Sequence, residues 1–135
     1  MMYSESSAPT ADHEVVDLSV PADPAFLSVM RSATAGLGTH LNLPMDEVED
    51  LQIAVDEACS LLLAGLEHSD RSLLTTFTVD RSTLTIRIDG PSAVLPDDSN
   101  FAWTMLHALS SGVTTGQNDD GSWIILTCQT HGVPA

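Results

Sequence analysis

From Ala54 to Leu66 the sequence is apolar on almost every side of a helix, with Asp56 and Glu57 the marked exceptions. A helix of that kind must be covered from more than one direction. The stretch therefore predicts a central helix with structure packed around it, and it makes the two acids conspicuous. The same helix extends back to about Met45, just after the breaker Leu43-Pro44. Val48, Leu51, Val55, Ala58 and Leu62 form one stripe, while Asp46, Glu47, Glu49 and Asp50 occupy the early turns, where the helix dipole favours negative charge.

The partners for such a helix lie on either side of it. Val16, Leu18 and Val20 alternate with Asp17 and Ser19 over residues 14–20, the period of a strand with one buried face, and Pro21 ends it. Asp23-Pro24 reads as an N-cap with proline in the first helical position. Phe26, Leu27, Met30 and Ala33 then recur at helical spacing toward His40, with Gly36 and Gly38 weakening the last turns. Leu73 to Val79 and Thr83 to Ile88 read as a hairpin turning at Asp80-Arg81-Ser82, and Gly90-Pro91 stops its second strand.

Beyond a loop at 92–99, Phe101, Met105, Leu106 and Leu109 mark a third helix ending near Gly112. Val113 to Gln117 and Ser122 to Gln129 make a last strand pair around Asn118-Asp119-Asp120-Gly121, whose glycine is expected to relieve a φ constraint. Trp123 and Ile125 share a strand face and are expected in the sheet core. The order β-α-α-β-β-α-β-β predicts an α+β fold, a two-layer sandwich with helices on one face of a mostly antiparallel sheet. Residues 1–12 are polar without apolar period and read as a disordered leader, and 131–135 read as a tail. One domain over 13–130 is expected from a chain of 135 residues.

Charge narrows the range of partners. Nineteen acids stand against four arginines, Arg31, Arg71, Arg81 and Arg87, with no lysine, for a net charge of -15. Phosphate backbones and anionic membranes would be repelled, whereas a basic protein would be attracted and steered. Direct nucleic-acid or membrane binding is not expected. No apolar run is long enough to span a bilayer and no signal-peptide pattern opens the chain, so a cytoplasmic location is expected. Cys59 and Cys128 sit in apolar segments away from metal-spaced histidines and read as buried reduced thiols.

The run Leu51-Gln-Ile-Ala-Val-Asp-Glu-Ala-Cys-Ser-Leu61, on a helix after a strand-helix unit and before a hairpin, resembles the N-box of the GHKL (histidine kinase-like) ATPases. It is most similar to the anti-sigma factor serine kinases, whose pattern is Ala-Val-x-Glu-Ala-x-x-Asn; Ala54, Val55, Glu57 and Ala58 match. Element order and length agree with that family over His13 to Thr130, and the resemblance implies the GHKL fold. In the family the glutamate is the general base and the asparagine holds Mg²⁺. Glu57 takes the base's place here and reads either as a vestigial catalytic base or as a surface acid at the mouth of a closed cleft, but Leu61 takes the asparagine's place and offers no oxygen to a hard cation, so no metal ligand is expected. Asp56 falls on the family's variable position and reads as solvated or capping a neighbouring loop.

The family's second signature, Asp-x-Gly-x-Gly, falls on Ile88-Asp89-Gly90-Pro91-Ser92. Gly90 matches, Ile88 replaces the adenine-binding aspartate, and Asp89 lies one residue out, on the other strand face unless a bulge realigns it. The third, Gly-x-Gly at the head of the third helix, falls on Asn100-Phe101-Ala102-Trp103, where side chains crowd a phosphate cradle that needs bare backbone. Phe101 and Trp103 are expected to plug that end of the cleft, and the loop from Gly90 to Asn100 is shorter than the family's lid. Asp89, Gly90, Asn100 and Ala102 are thus expected to be the remnant of an ATP site.

The resemblance implies an anti-sigma factor that binds and sequesters an alternative RNA polymerase sigma factor and is relieved by an anti-anti-sigma partner, with ATP and Mg²⁺ binding weakened or lost. The alternative is an active ATP-dependent serine/threonine kinase that phosphorylates its anti-anti-sigma antagonist. Family members act as homodimers, which implies one here. The sigma-binding surface is expected around Arg31, Glu47 and Glu49.

Overall fold

In the computed structural model, which describes residues 13–64, 70–91, 94–97 and 100–130, the alternating strands and the striped helices combine in the predicted order. The elements are β1 (His13–Pro21), α1 (Leu27–His40), α2 (Met45–Leu63), β2 (Ser72–Asp80), β3 (Thr83–Gly90), α3 (Phe101–Leu109), β4 (Gly112–Asn118) and β5 (Gly121–Gln129). A short 3-10 turn, Pro24–Phe26, leads into α1. It is capped by Asp23, whose side chain accepts from the Ala25 amide at 2.9 Å, with Pro24 in the position that needs no donor. The expected leader and tail lie outside the described residues.

The five strands form one sheet in the order β1-β2-β3-β5-β4, and every neighbouring pair is antiparallel. Alternation sorts their side chains onto two faces. Leu73, Thr75, Phe77, Val79, Leu84, Ile86, Ile88, Ile124 and Leu126 are buried on the face covered by the helices. There they share a core with Met30 of α1, Val55, Ala58 and Leu62 of α2, and Leu106 of α3. Thr75 keeps its hydroxyl in this core by donating to the Met30 sulfur at 3.2 Å. The fold is the expected α+β two-layer sandwich.

Three local expectations are corrected, and the extent of α1 agrees with its own. α3 ends at Leu109, because Ser110 is extended and its hydroxyl donates back to the Leu106 carbonyl at 2.6 Å. α1 runs to His40 as expected, and Gly38 lets it meet α2 closely, since a Cβ there would stand 3.0 Å from Val48. Gly121 answers to close approach, because an added Cβ would fall on the Gly90 carbonyl oxygen; its turn is held by the Asn118 side chain, which accepts from the Asp120 and Gly121 amides. Trp123 and Ile125 are half-buried on the sheet face turned away from the helices, one residue out of step with the buried Ile124 and Leu126.

Candidate functional site

Glu57 and Leu61 stand four residues apart on α2 and so share one helix face. Glu57 is half-buried, whereas Leu61 is 5% exposed and belongs to the core. A carboxylate is therefore followed one turn later by hydrocarbon. Asp56 departs from the expected solvated or loop-capping role. Its Oδ2 accepts from Arg31 Nε at 3.0 Å, tying α2 to α1, and its Oδ1 is buried without a hydrogen-bond partner. Gln52 adds to that link by donating to the Arg31 carbonyl at 3.3 Å. No local sequence signal foretells a pair so far apart in the chain.

At the end of β3 the register is unbroken, and Asp89 stands opposite Leu74 on one side and Trp123 on the other. With no bulge, Ile88 faces the helices and is fully buried, while Asp89 points to the opposite face. There both Asp89 carboxylate oxygens accept from Arg87, at 3.0 Å each. That hydrogen bonding holds the Arg87 guanidinium above its ordinary pKa against a smaller opposing effect of burial. The guanidinium also lies 5.0 Å from the Trp123 ring centre, a cation-π distance. Gly90 faces inward against α2, where an added Cβ would meet the Leu62 Cβ at 2.9 Å and Leu73 at 3.1 Å.

The head of α3 is closed by its own sequence. Asn100 Oδ1 accepts from the Ala102 amide at 2.9 Å, and the Asn100 carbonyl accepts from the Trp103 amide at 3.2 Å. Two amides at this helix end are thus satisfied within the chain. Ala102 is buried, but Phe101 is 70% exposed, so it does not plug the cleft: the buried stripe of α3 runs through Ala102 and Leu106, which turns Phe101 to solvent. Trp103 is half-buried and its Nε1 donates to the Pro96 carbonyl at 3.2 Å, while the Leu95 amide donates to Gln117 Oε1 at 3.4 Å. Both bonds hold segment 94–97 toward α3 and β4.

Gly90 and Leu62 thus belong to the α2–β3 contact, Glu57 and Leu61 to one face of α2, and Asn100 and Ala102 to the head of α3. Asp89 lies on the far face of the sheet. Arg31 is not brought together with Glu47 and Glu49: it pairs with Asp56, about 10 Å beyond Glu49 and about 14 Å beyond Glu47 along α2 at the helical rise. Glu49 is exposed, and Glu47 lines a small cleft with Asp50, Ser110 and Cys128. Among the described residues no three histidine, cysteine or acidic side chains are grouped to hold a metal, and no helix is long and apolar enough to cross a membrane.

No family model matches the chain. It is 36% identical over 59 residues to the serine-protein kinase RsbW of Bacillus subtilis, a match covering 44% of this chain and 37% of that protein. It is 29% identical over 119 residues to the anti-sigma-F factor RsbW of Mycobacterium tuberculosis, covering 83% of this chain and 70% of that one. A third match, to the serine-protein kinase RsbW of Bacillus pumilus, is 32% identical over 77 residues and covers 54% and 48%. The chain therefore spans less than half the length of these serine-protein kinase relatives. Among solved structures, the RsbU and RsbW domains of Rv1364c from Mycobacterium tuberculosis superpose with a TM-score of 0.70 at 13% identity, over 90% of this chain and 33% of that one. The N-box run on α2 and these matches thus make the chain similar to serine-protein kinases and an anti-sigma-F factor named RsbW, and it shares the α+β fold of the solved RsbW domain.

Proposed function

We propose that this chain is an anti-sigma factor: it binds and sequesters an alternative RNA polymerase sigma factor in the cytoplasm and is relieved by a competing anti-anti-sigma protein, with ATP binding weakened or lost. The observation that carries the reading is the relative named anti-sigma-F factor RsbW, aligned over 83% of this chain. The acidity of the chain supports a basic protein surface as the target.

The residues present do not fit magnesium ATP. Leu61 stands where the family has its metal-binding asparagine and has no oxygen to offer. Ile88 is buried hydrocarbon where the adenine-binding aspartate would be, and Asp89 is engaged by Arg87 on the other face. The Ala102 amide, which would have to meet a phosphate, is taken by Asn100.

The test is retention of purified sigma subunits on the immobilised chain at moderate salt, alongside calorimetric titration with Mg²⁺-ATP. Sigma retention without saturable nucleotide heat is the expected outcome; retention of no sigma subunit would sink the proposal. Charge reversal at Glu47 and Glu49 is expected to weaken binding. Arg31 is a poorer probe, because its replacement also unties α1 from α2. A homodimer is proposed with the family and is checked by light scattering.

The kinase reading keeps one observation in its favour, the half-buried Glu57 in the base's position on α2. If labelled phosphate passes from ATP to an anti-anti-sigma protein and Glu57→Gln abolishes the transfer, that reading replaces the one above.

A further inference from the structure

The sheet has two edges of different character. β1 carries Glu14, Asp17 and Pro21, residues of the kind that protect an edge from pairing with another chain. β4, Gly-Val-Thr-Thr-Gly-Gln-Asn, has no charge and no proline over its 7 residues. Its register with β5 runs without a bulge from Gly112 to Asn118, and Thr114, Thr115, Gln117 and Asn118 are exposed. Among the described residues no strand lies on its outer side. It is thus a straight, uncharged row of backbone donors and acceptors.

Beside that edge runs a groove of about 660 Å³ lined by Leu95, Pro96, Trp103, His107, Val113 and Gln117, among others. Trp103 and Val113 are half-buried and pack on the core, so within a lining that also includes Thr104, His107, Thr115 and Gln117 the groove offers apolar contacts to every second side chain of a strand laid along β4. Both ends of the edge are acidic. Ser110 and Ser111, which lead into β4, share a cleft with Glu47 and Asp50, and β4 ends at the exposed Asp119 and Asp120. None of the four arginines lines either the groove or the cleft.

We infer that β4 is a docking edge for an extended segment of a partner protein, with apolar or threonine side chains at alternate positions and lysine or arginine at its ends, which joins the sheet as a sixth strand. Backbone pairing supplies attachment, the Trp103 groove selects alternate side chains, and the acids at either end select the charge. A second copy paired through its own β4 is the poorer occupant of this edge, whatever other surface a homodimer uses, since the acids at the two ends of one β4 would meet the same acids of the other. The inference does not depend on whether the partner is a sigma factor.

The experiment is hydrogen exchange on the full chain with a synthetic peptide, Lys-Val-Thr-Val-Thr-Val-Lys, beside one with aspartate for lysine and one N-methylated at alternate residues. Outward amides between Gly112 and Asn118 should slow on the order of tenfold with the lysine peptide alone, and less so as salt rises. Unchanged exchange at about 1 mM peptide, a weak-binding ceiling, overturns the inference, as does equal slowing by the N-methylated or the aspartate peptide. Slowing without peptide that tracks protein concentration also overturns it, by giving the edge to a second copy. Thr114→Pro and Thr115→Pro give an independent check, because successive amides alternate between β5 and the open side. The one of the two that keeps its circular dichroism should lose peptide binding on the order of tenfold; undiminished binding in that variant overturns the inference.

Discussion

Arg87 donates to both carboxylate oxygens of Asp89 at 3.0 Å, on the sheet face turned away from the helices. Asp89 is the only carboxylate of β3, next to the position that corresponds to the relatives' adenine-binding aspartate, and its side chain is committed elsewhere. Asp89→Ala is therefore expected to leave any nucleotide response unchanged. It should cost about 0.2–1 kcal/mol of stability, the range for an ion pair whose side chains are 45% and 36% exposed and screened by water. A nucleotide affinity that fell with Asp89→Ala would mean that β3 slips register when ligand arrives.

Restoring the family's metal ligand should not restore metal binding. Leu61 is packed in the core, so Leu61→Asn places an amide among hydrocarbon and is expected to lower stability by roughly 2–5 kcal/mol. The buried Ile88 and the capped Ala102 amide remain as they were. Saturable Mg²⁺-ATP heat in a folded Leu61→Asn protein would show that this one position had closed the site.

Gly90 reports how tightly β3 and α2 are pressed together. A methyl at 2.9 Å from the Leu62 Cβ and 3.1 Å from Leu73 forces the helix outward, because the Leu62 Cβ is fixed to the helix backbone and cannot swing aside. Gly90→Ala is expected to cost roughly 1–3 kcal/mol, the usual penalty for overpacking a core, read as a shift in urea midpoint with unchanged slope.

Much of the architecture is legible in the sequence because strand alternation and helical stripes are local signals. The alternating residues of β2 and β3 and the stripe of α2 place the sheet and the central helix correctly. Alternation separates two faces but does not say which of them the helices cover, and that is why Trp123 and Ile125 read as core residues and yet lie on the other side. Phe101 shows the same limit on a helix, where a small rotation moves a ring from the cleft to solvent. The Arg31–Asp56 pair and the hold of Trp103 on Pro96 join residues whose proximity exists only in the folded chain.

Gly116 lets the Trp123 ring lie across β4, since an added Cβ there would fall within the indole. Gly116→Ala is expected to swing the ring off the strand and away from Arg87, which now stacks on it at 5.0 Å. The open face leaves room for that movement. The fold should survive, less stable by about 0.5–2 kcal/mol, the scale of a cation-π interaction, and tryptophan emission should shift to the red. Unchanged emission would place the ring elsewhere in solution.

The two thiols set an alkaline limit on stability. Burial, reinforced by the Asp56 carboxylate, pushes Cys59 up from 9.0 to about 12, and burial, partly offset by a backbone hydrogen bond at Ser111, pushes Cys128 up to about 11. Below pH 9 the folded and unfolded chains both hold these protons, so the thiols contribute no pH dependence. Above it only the unfolded chain releases them, and stability is lost as pH rises toward the folded values, by at most about 1.4 kcal/mol per pH unit for each thiol. Urea midpoints should thus be flat in this respect from neutrality to pH 9 and fall above it, with both cysteines contributing up to pH 11 and Cys59 alone beyond. Cys59→Ala, compared with the parent chain at pH 8 and pH 10, should show the shallower decline. An identical decline in the two proteins would assign the alkaline loss to other groups.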